Sequence, residues 1–115
     1  MDEKKQLSEK EIEQYVAEVA ELLSDKKAIE IEILHVKPLT TLADYFIVCT
    51  GTSTTHIKSL SEEIEHYMET KYNIRPHHIE GYNSASWILV DYGFMTINIF
   101  HKESRKFYSL ERLWK

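Results

Sequence analysis

The chain has 115 residues, enough for one domain around one core, and carries 14 Lys and Arg against 19 Asp and Glu, a net charge of −5. That balance excludes phosphate contacts as the main source of affinity for a partner, because such binding needs clustered basic residues; an acidic surface suits a basic protein and steers it inward. No stretch approaches the ~20 apolar residues of a membrane span, the start Met1-Asp2-Glu3-Lys4-Lys5 lacks the apolar core of a signal peptide, and the single cysteine, Cys49, has no internal disulfide partner, so the cytoplasm is the expected setting.

Residues 1–7 read as a polar lead, and Ser8-Glu9-Lys10-Glu11 then fits a capping box, in which serine and glutamate each satisfy a free backbone N–H. Ile12, Val16, Val19, Ala20 and Leu23 follow at helical spacing, which predicts a helix from about Glu9 to Ser24. Residues 28–36 alternate apolar and acidic, as in a strand with one buried face and with Glu30 and Glu32 pointing out; Pro38 ends it. Residues 43–49 are a nearly continuous apolar run, expected of a strand covered on both faces. Gly51 breaks the pattern, Thr52-Ser53-Thr54-Thr55 supplies helix caps, and Ile57, Leu60, Ile64 and Met68 mark a second amphipathic helix from about Thr54 to Lys71 that Arg75-Pro76 stops. A short strand is expected near His78–Gly81. Residues 87–90 and 94–100 then form a hairpin joined by Asp91-Tyr92-Gly93, with Gly last at the left-handed position. From about Lys102 to Trp114, Phe107, Leu110, Leu113 and Trp114 recur at helical spacing and predict a closing helix. With only three Gly and two Pro there is no long linker, so residues 1–115 are expected to form a single α/β (α+β) domain, a mixed β-sheet flanked by helices.

Few residues point to chemistry. Gly51-Thr52-Ser53 follows a buried strand and opens a helix, a place where backbone N–H groups can hold phosphate. It lacks the lysine and second glycine of a P-loop and the spaced glycines of a dinucleotide site, so it reads first as a tight turn and cap. A nucleotidyltransferase using that turn is the alternative function, and it needs paired carboxylates for Mg²⁺ on a nearby strand. Glu62, Glu63 and Glu65 lie instead in a helical segment, Asp91 stands alone in a turn, and no Asp-x-Asp pair occurs. Among six histidines, His77 and His78 face opposite ways in an extended segment and His56 and His66 are ten apart, a pattern of surface or turn residues rather than of zinc ligands. Cys49 sits in the apolar strand as a small core residue. No metal, cofactor or catalytic residue is expected.

The hairpin is different. Trp87, Leu89, Tyr92, Phe94 and Met95 crowd it, with Trp87 and Leu89 on one strand face and Ile88 and Val90 on the other. Both faces are apolar, so each needs a cover: the chain itself, a second copy, or another protein. Trp87 is open to either reading, a core residue or an interface anchor.

Here the sequence resembles the Iojap/ribosomal silencing factor family. Glu80-Gly81, then Trp87-Ile88-Leu89-Val90-Asp91-Tyr92-Gly93 and a strand ending at Phe100, are similar to its signature. Leu42-Ala43-Asp44-Tyr45-Phe46-Ile47-Val48-Cys49-Thr50-Gly51-Thr52-Ser53 and Phe107-Tyr108-Ser109-Leu110-Glu111-Arg112-Leu113-Trp114 resemble two further family stretches, in register from about Ile12 to Trp114. The resemblance implies a nucleotidyltransferase-like core without catalytic carboxylates and a protein that is not an enzyme. It implies binding to ribosomal protein uL14 on the large ribosomal subunit, so that the small subunit is blocked and translation repressed when nutrients are scarce. It also implies homodimers of the free protein. Carried over residue by residue, the partner-binding positions are Trp87 and Leu89 as apolar anchors, Tyr92 as an amphipathic one, and Asp91 paired with a basic group. The segment Tyr82-Asn83-Ser84-Ala85-Ser86 stands where many members carry acids. A domain of about 100 residues, roughly 25–30 Å across, is wide enough to act as an obstacle without any reaction.

Overall fold

The computed structural model describes residues 7–40 and 43–108. Its elements are α1 (Glu9–Asp25), β1 (Ile29–His35), β2 (Tyr45–Gly51), α2 (Thr54–Tyr72), β3 (His78–Glu80), β4 (Trp87–Asp91), β5 (Met95–His101) and α3 (Lys102–Tyr108). The strands form one mixed sheet in the order β1-β2-β5-β4-β3, with β2 and β5 parallel at its centre and every other pair antiparallel. This is the expected α/β class, a mixed sheet flanked by helices.

Both long helices begin where their caps predict. The Ser8 hydroxyl accepts from the Glu11 N–H while the Glu11 carboxylate accepts from the Ser8 N–H, a complete capping box. Ser53 caps α2 by accepting from the His56 N–H, and Asn73 ends that helix in the left-handed region at φ 57°. The apolar stripes of α1 and α2, including Val19, Leu23, Ile57, Leu60 and Ile64, pack on one face of the sheet against Ile47, Cys49, Ile88, Val90, Ile97 and Ile99. The opposite face carries a smaller cluster of Leu34, Val36, Phe46, Val48 and Phe100, with Trp87 packed against it. There α3 is tied down by Arg105, whose guanidinium donates to the Glu30 carbonyl at 2.9 Å and to the Thr50 hydroxyl at 2.7 Å.

Three local expectations need correction. Strand β1 does not bury its isoleucines on one face: Ile29 and Ile33 are 43% and 46% exposed, and Leu34 is buried on the other side. A bulge between Ile29 and Glu32, where Glu30 takes φ 52°, shifts Ile29 relative to the rest of the strand, while Ile33, paired with Ile47, stands on the edge strand of the sheet. Strand β2 runs on through Gly51 instead of breaking there. The β4–β5 link is Tyr92-Gly93-Phe94, with Gly93 in the middle at φ 87° and Asp91 still in the strand; the Tyr92 N–H donates to the Met95 carbonyl. Of the expected closing helix, the part beyond Tyr108, with Leu110, Leu113 and Trp114, lies outside the described residues, as does Leu42.

Candidate docking face on strands β3, β4 and β5

Alternation along β4 sorts its side chains. Ile88 and Val90 are fully buried under the helices, while Trp87, Leu89 and Asp91 project from the opposite face and are each partly exposed. Pairing then sets their neighbours: Trp87 lies opposite Phe100, Leu89 opposite Asn98 and Asp91 opposite Thr96, while β3 places Glu80 beside Leu89 and His78 beside Asp91. The result is a concavity of about 270 Å³. Phe46, Thr96 and Asn98 are its buried floor, Trp87 and Leu89 its apolar wall, and His78, Glu80 and Asp91 its polar rim.

Each wall residue is held in place. The Trp87 ring stacks on Phe100 at 4.8 Å between centroids, and its indole N–H donates to Asn98 Oδ1 at 3.1 Å. Gly81 makes the approach to β4 possible: a Cβ there would sit 2.1 Å from the Trp87 carbonyl oxygen, and its φ of 81° lies in the region that favours glycine. Asp91 serves the fold and the rim together. Its Oδ1 accepts from the Gly93 N–H at 2.8 Å, and its Oδ2 lies 3.6 Å from His78 Nε2, which is itself 3.1 Å from Glu80.

Tyr92 does not join this face. It is 3% exposed and belongs to the cluster under the helices, 6.2 Å from the Phe94 ring, and burial raises its hydroxyl pKa above the ordinary phenol value. The alternation that separates Trp87 from Ile88 also sends Tyr92 to the side of Ile88 and Val90. Met95 is buried on that side too, so the aromatic crowding of the hairpin divides between two faces. Conversely, Glu80, His78 and Asn98 belong to the site without having been singled out for it. The signal for Asn98 was a lone carboxamide in the middle of the apolar run Met95–Phe100.

The Gly51–Ser53 turn is occupied by the protein itself. The Thr52 N–H donates to His56 Nδ1 at 3.0 Å, His56 Nε2 meets the Lys26 carbonyl at 2.9 Å, and the His56 N–H is taken by Ser53. His56 therefore pins the end of α1 to the start of α2. Burial pushes the Cys49 thiol up to about 12, so it stays protonated and inert as a core residue. Among the described residues, no three His, Cys, Asp or Glu side chains group as metal ligands, and no helix is long and apolar enough to cross a membrane.

Residues 9–115 match the family model described as "Ribosomal silencing factor during starvation". The chain belongs to the ribosomal silencing factor family. It is 36% identical over 90 residues to ribosomal silencing factor RsfS of Bacillus subtilis, covering 78% of this chain and 75% of that protein. To RsfS of Halalkalibacterium halodurans it is 34% identical over 92 residues, covering 80% and 78%. A crystal structure of a Chromobacterium violaceum protein superposes with a TM-score of 0.81 at 29% identity, over 94% of this chain and 87% of that one. Within this fold, Gly81 allows the close approach to β4, Trp87 walls the concavity and Asp91 holds the β4–β5 turn.

Proposed function

We propose that this chain represses translation under nutrient limitation by docking on the large ribosomal subunit through ribosomal protein uL14 and obstructing the small subunit. Membership of a family whose relatives are named ribosomal silencing factors supports the setting. The observation that carries the docking role is the concave patch of Trp87 and Leu89 edged by Glu80 and Asp91, on the sheet face away from α1 and α2. An apolar centre with an acidic rim suits a basic protein, the wall providing affinity and the rim orientation and encounter rate. Trp87, Leu89 and Asp91 are the proposed contacts; Tyr92 acts from beneath as the packed base of the turn.

The mechanism is steric and needs no cofactor or reaction. The molecule measures 41 × 30 × 23 Å along its principal axes, so its shortest dimension holds two surfaces more than 20 Å apart. Free copies are proposed to pair as homodimers, and the working location is the cytoplasm.

Sucrose-gradient sedimentation of purified subunits with and without the protein tests this directly. The protein is expected to travel with the large subunit and to deplete joined particles in proportion to its occupancy. Joined particles left intact at saturating protein would refute the steric role. Saturable binding of a nucleoside triphosphate with Mg²⁺ in calorimetry would favour a transferase built on the Gly51–Ser53 turn instead.

A further inference from the structure

We infer that His78 makes the docking face proton-sensitive: its protonated ring takes up the place between Glu80 and Asp91 that a basic side chain of the partner would fill, so acid weakens the hold on the large subunit. This rests on the docking role proposed above and adds a condition on when it operates.

The register puts the ring there. His78 pairs with Asp91 and Glu80 with Leu89, so both β3 side chains stand on the face of Trp87 and Leu89, whereas Ile79 between them packs under the helices. His78 Nε2 lies 3.1 Å from Glu80 Oε2 and 3.6 Å from Asp91 Oδ2. Asp91 turns Oδ2 to the rim because its Oδ1 is engaged by the Gly93 N–H. Among the described residues, these two carboxylates are the charged groups that face the ring. Strands β2 and β5 bring Phe46, Thr96 and Asn98 to the concavity, and the neighbouring His77 lies against Gly93. The His78 side chain is 49% exposed, so a proton reaches it without any opening of the fold.

Histidine is the side chain whose charge ordinarily changes between about pH 5 and 8. With the ring neutral, the rim presents two negative charges beside the apolar wall. With the ring protonated, an imidazolium sits between them and the rim keeps a single net negative charge. A partner's Lys or Arg then meets a weaker attraction and a like charge in its path, while Trp87 and Leu89 are unchanged. By reciprocity a docked cation opposes protonation of His78, so binding expels a proton.

The test is affinity for purified bacterial large ribosomal subunits at low salt, measured from about pH 8 to about pH 5.5, across the range in which histidine titrates. It compares the wild type with His78→Gln and His78→Lys, each checked for folding by circular dichroism. His78→Gln keeps an N–H donor but holds the rim charge constant, and titration of the ribosome itself cancels in the comparison. Wild-type affinity is expected to fall about threefold more over this range than that of His78→Gln, the size of a rim-charge effect. His78→Lys carries the cation at every pH and takes the place of His78→Gln if that variant does not fold. Equal pH profiles for the wild type and the folded variant overturn the inference, as does a wild-type affinity that rises in acid relative to the variant. Wild-type protein that binds the subunits at no pH overturns the docking role itself, an outcome distinct from the other two.

Discussion

The two faces of the sheet are built from different materials. Under α1 and α2 the strands present Ile47, Cys49, Ile88, Val90, Ile97 and Ile99, aliphatic or small, fully buried and free of polar groups. On the other face the same strands present Phe46, Trp87, Leu89, Asp91, Thr96 and Asn98, a mixture in which a ring is tethered by a hydrogen bond and a carboxylate holds a turn. Neighbouring residues of one strand therefore face different surroundings: the helix side supplies stability, while the open side, in the docking role proposed above, trades some of it for recognition. The comparison predicts that substitutions one position apart will fail in different assays.

The largest effect belongs to the helix side. Ile97 is fully buried in a central strand, and Ile97→Ala is expected to destabilise the fold by about 2–5 kcal/mol through lost burial and a residual cavity. Chemical denaturation measures it. A loss below about 1 kcal/mol would mean that this face packs loosely and that the contrast is wrong. Trp87→Ala should do the reverse. The variant is expected to stay folded, because the ring is partly exposed, yet to lose about 2 kcal/mol or more of affinity for large subunits, as a central aromatic anchor does. Unchanged co-sedimentation by a folded Trp87→Ala protein would remove the residue from the interface.

Much of this division is legible in the order of residues, and the parts that are not have identifiable causes. Ser8 and Glu11 announce the start of α1 because capping is local chemistry within four residues. Trp87 and Leu89 separate from Ile88 and Val90 because strand alternation is equally local. The same alternation, followed one residue further, puts Tyr92 with the core; its family resemblance as an amphipathic anchor points the other way, and packing decides. The bulge at Glu30 has no local signal. It goes with contacts far along the chain, since the Glu30 carbonyl receives Arg105 and its carboxylate receives the Thr50 hydroxyl at 3.1 Å. Nor could Glu80 and His78 be assigned to the site before the sheet order was known, because only the β3–β4 register sets them beside Leu89 and Asp91.

A smaller effect tests how the helix side is clasped. The Glu18 carboxylate on α1 accepts hydrogen bonds from Tyr67 and Tyr72 on α2, from Gln14, and from Lys71 at 3.2 Å. Partial burial works to raise its pKa, but these donors together outweigh that and lower it from 4.5 to about 2. A carboxyl whose pKa is lower folded than unfolded contributes stability above its unfolded value, and that contribution is lost as pH falls through the folded one. Glu18→Gln is accordingly expected to cost about 1 kcal/mol near neutrality, limited by the partly wet setting. The gap from wild type should narrow between pH 5 and about 2. A gap that stays constant over that range would show that shape, not charge, ties the helices.

The smallest effect is the sharpest test of the open face, because Asp91 does two things with two oxygens. Oδ1 receives the Gly93 N–H at 2.8 Å and fixes the turn, while Oδ2 faces the rim near His78. Asp91→Asn keeps an oxygen for the turn and removes only the charge, so stability should hold within about 0.5 kcal/mol. Affinity for large subunits should fall by a similar amount, mostly through slower association, and the difference from wild type should vanish as salt screens the rim. Asp91→Ala removes both roles and should add a loss of fold stability that salt does not erase. If Asp91→Asn binds as wild type at low salt while Asp91→Ala loses binding, the carboxylate matters through the turn it braces, and the acidic rim plays no part in choosing a basic partner.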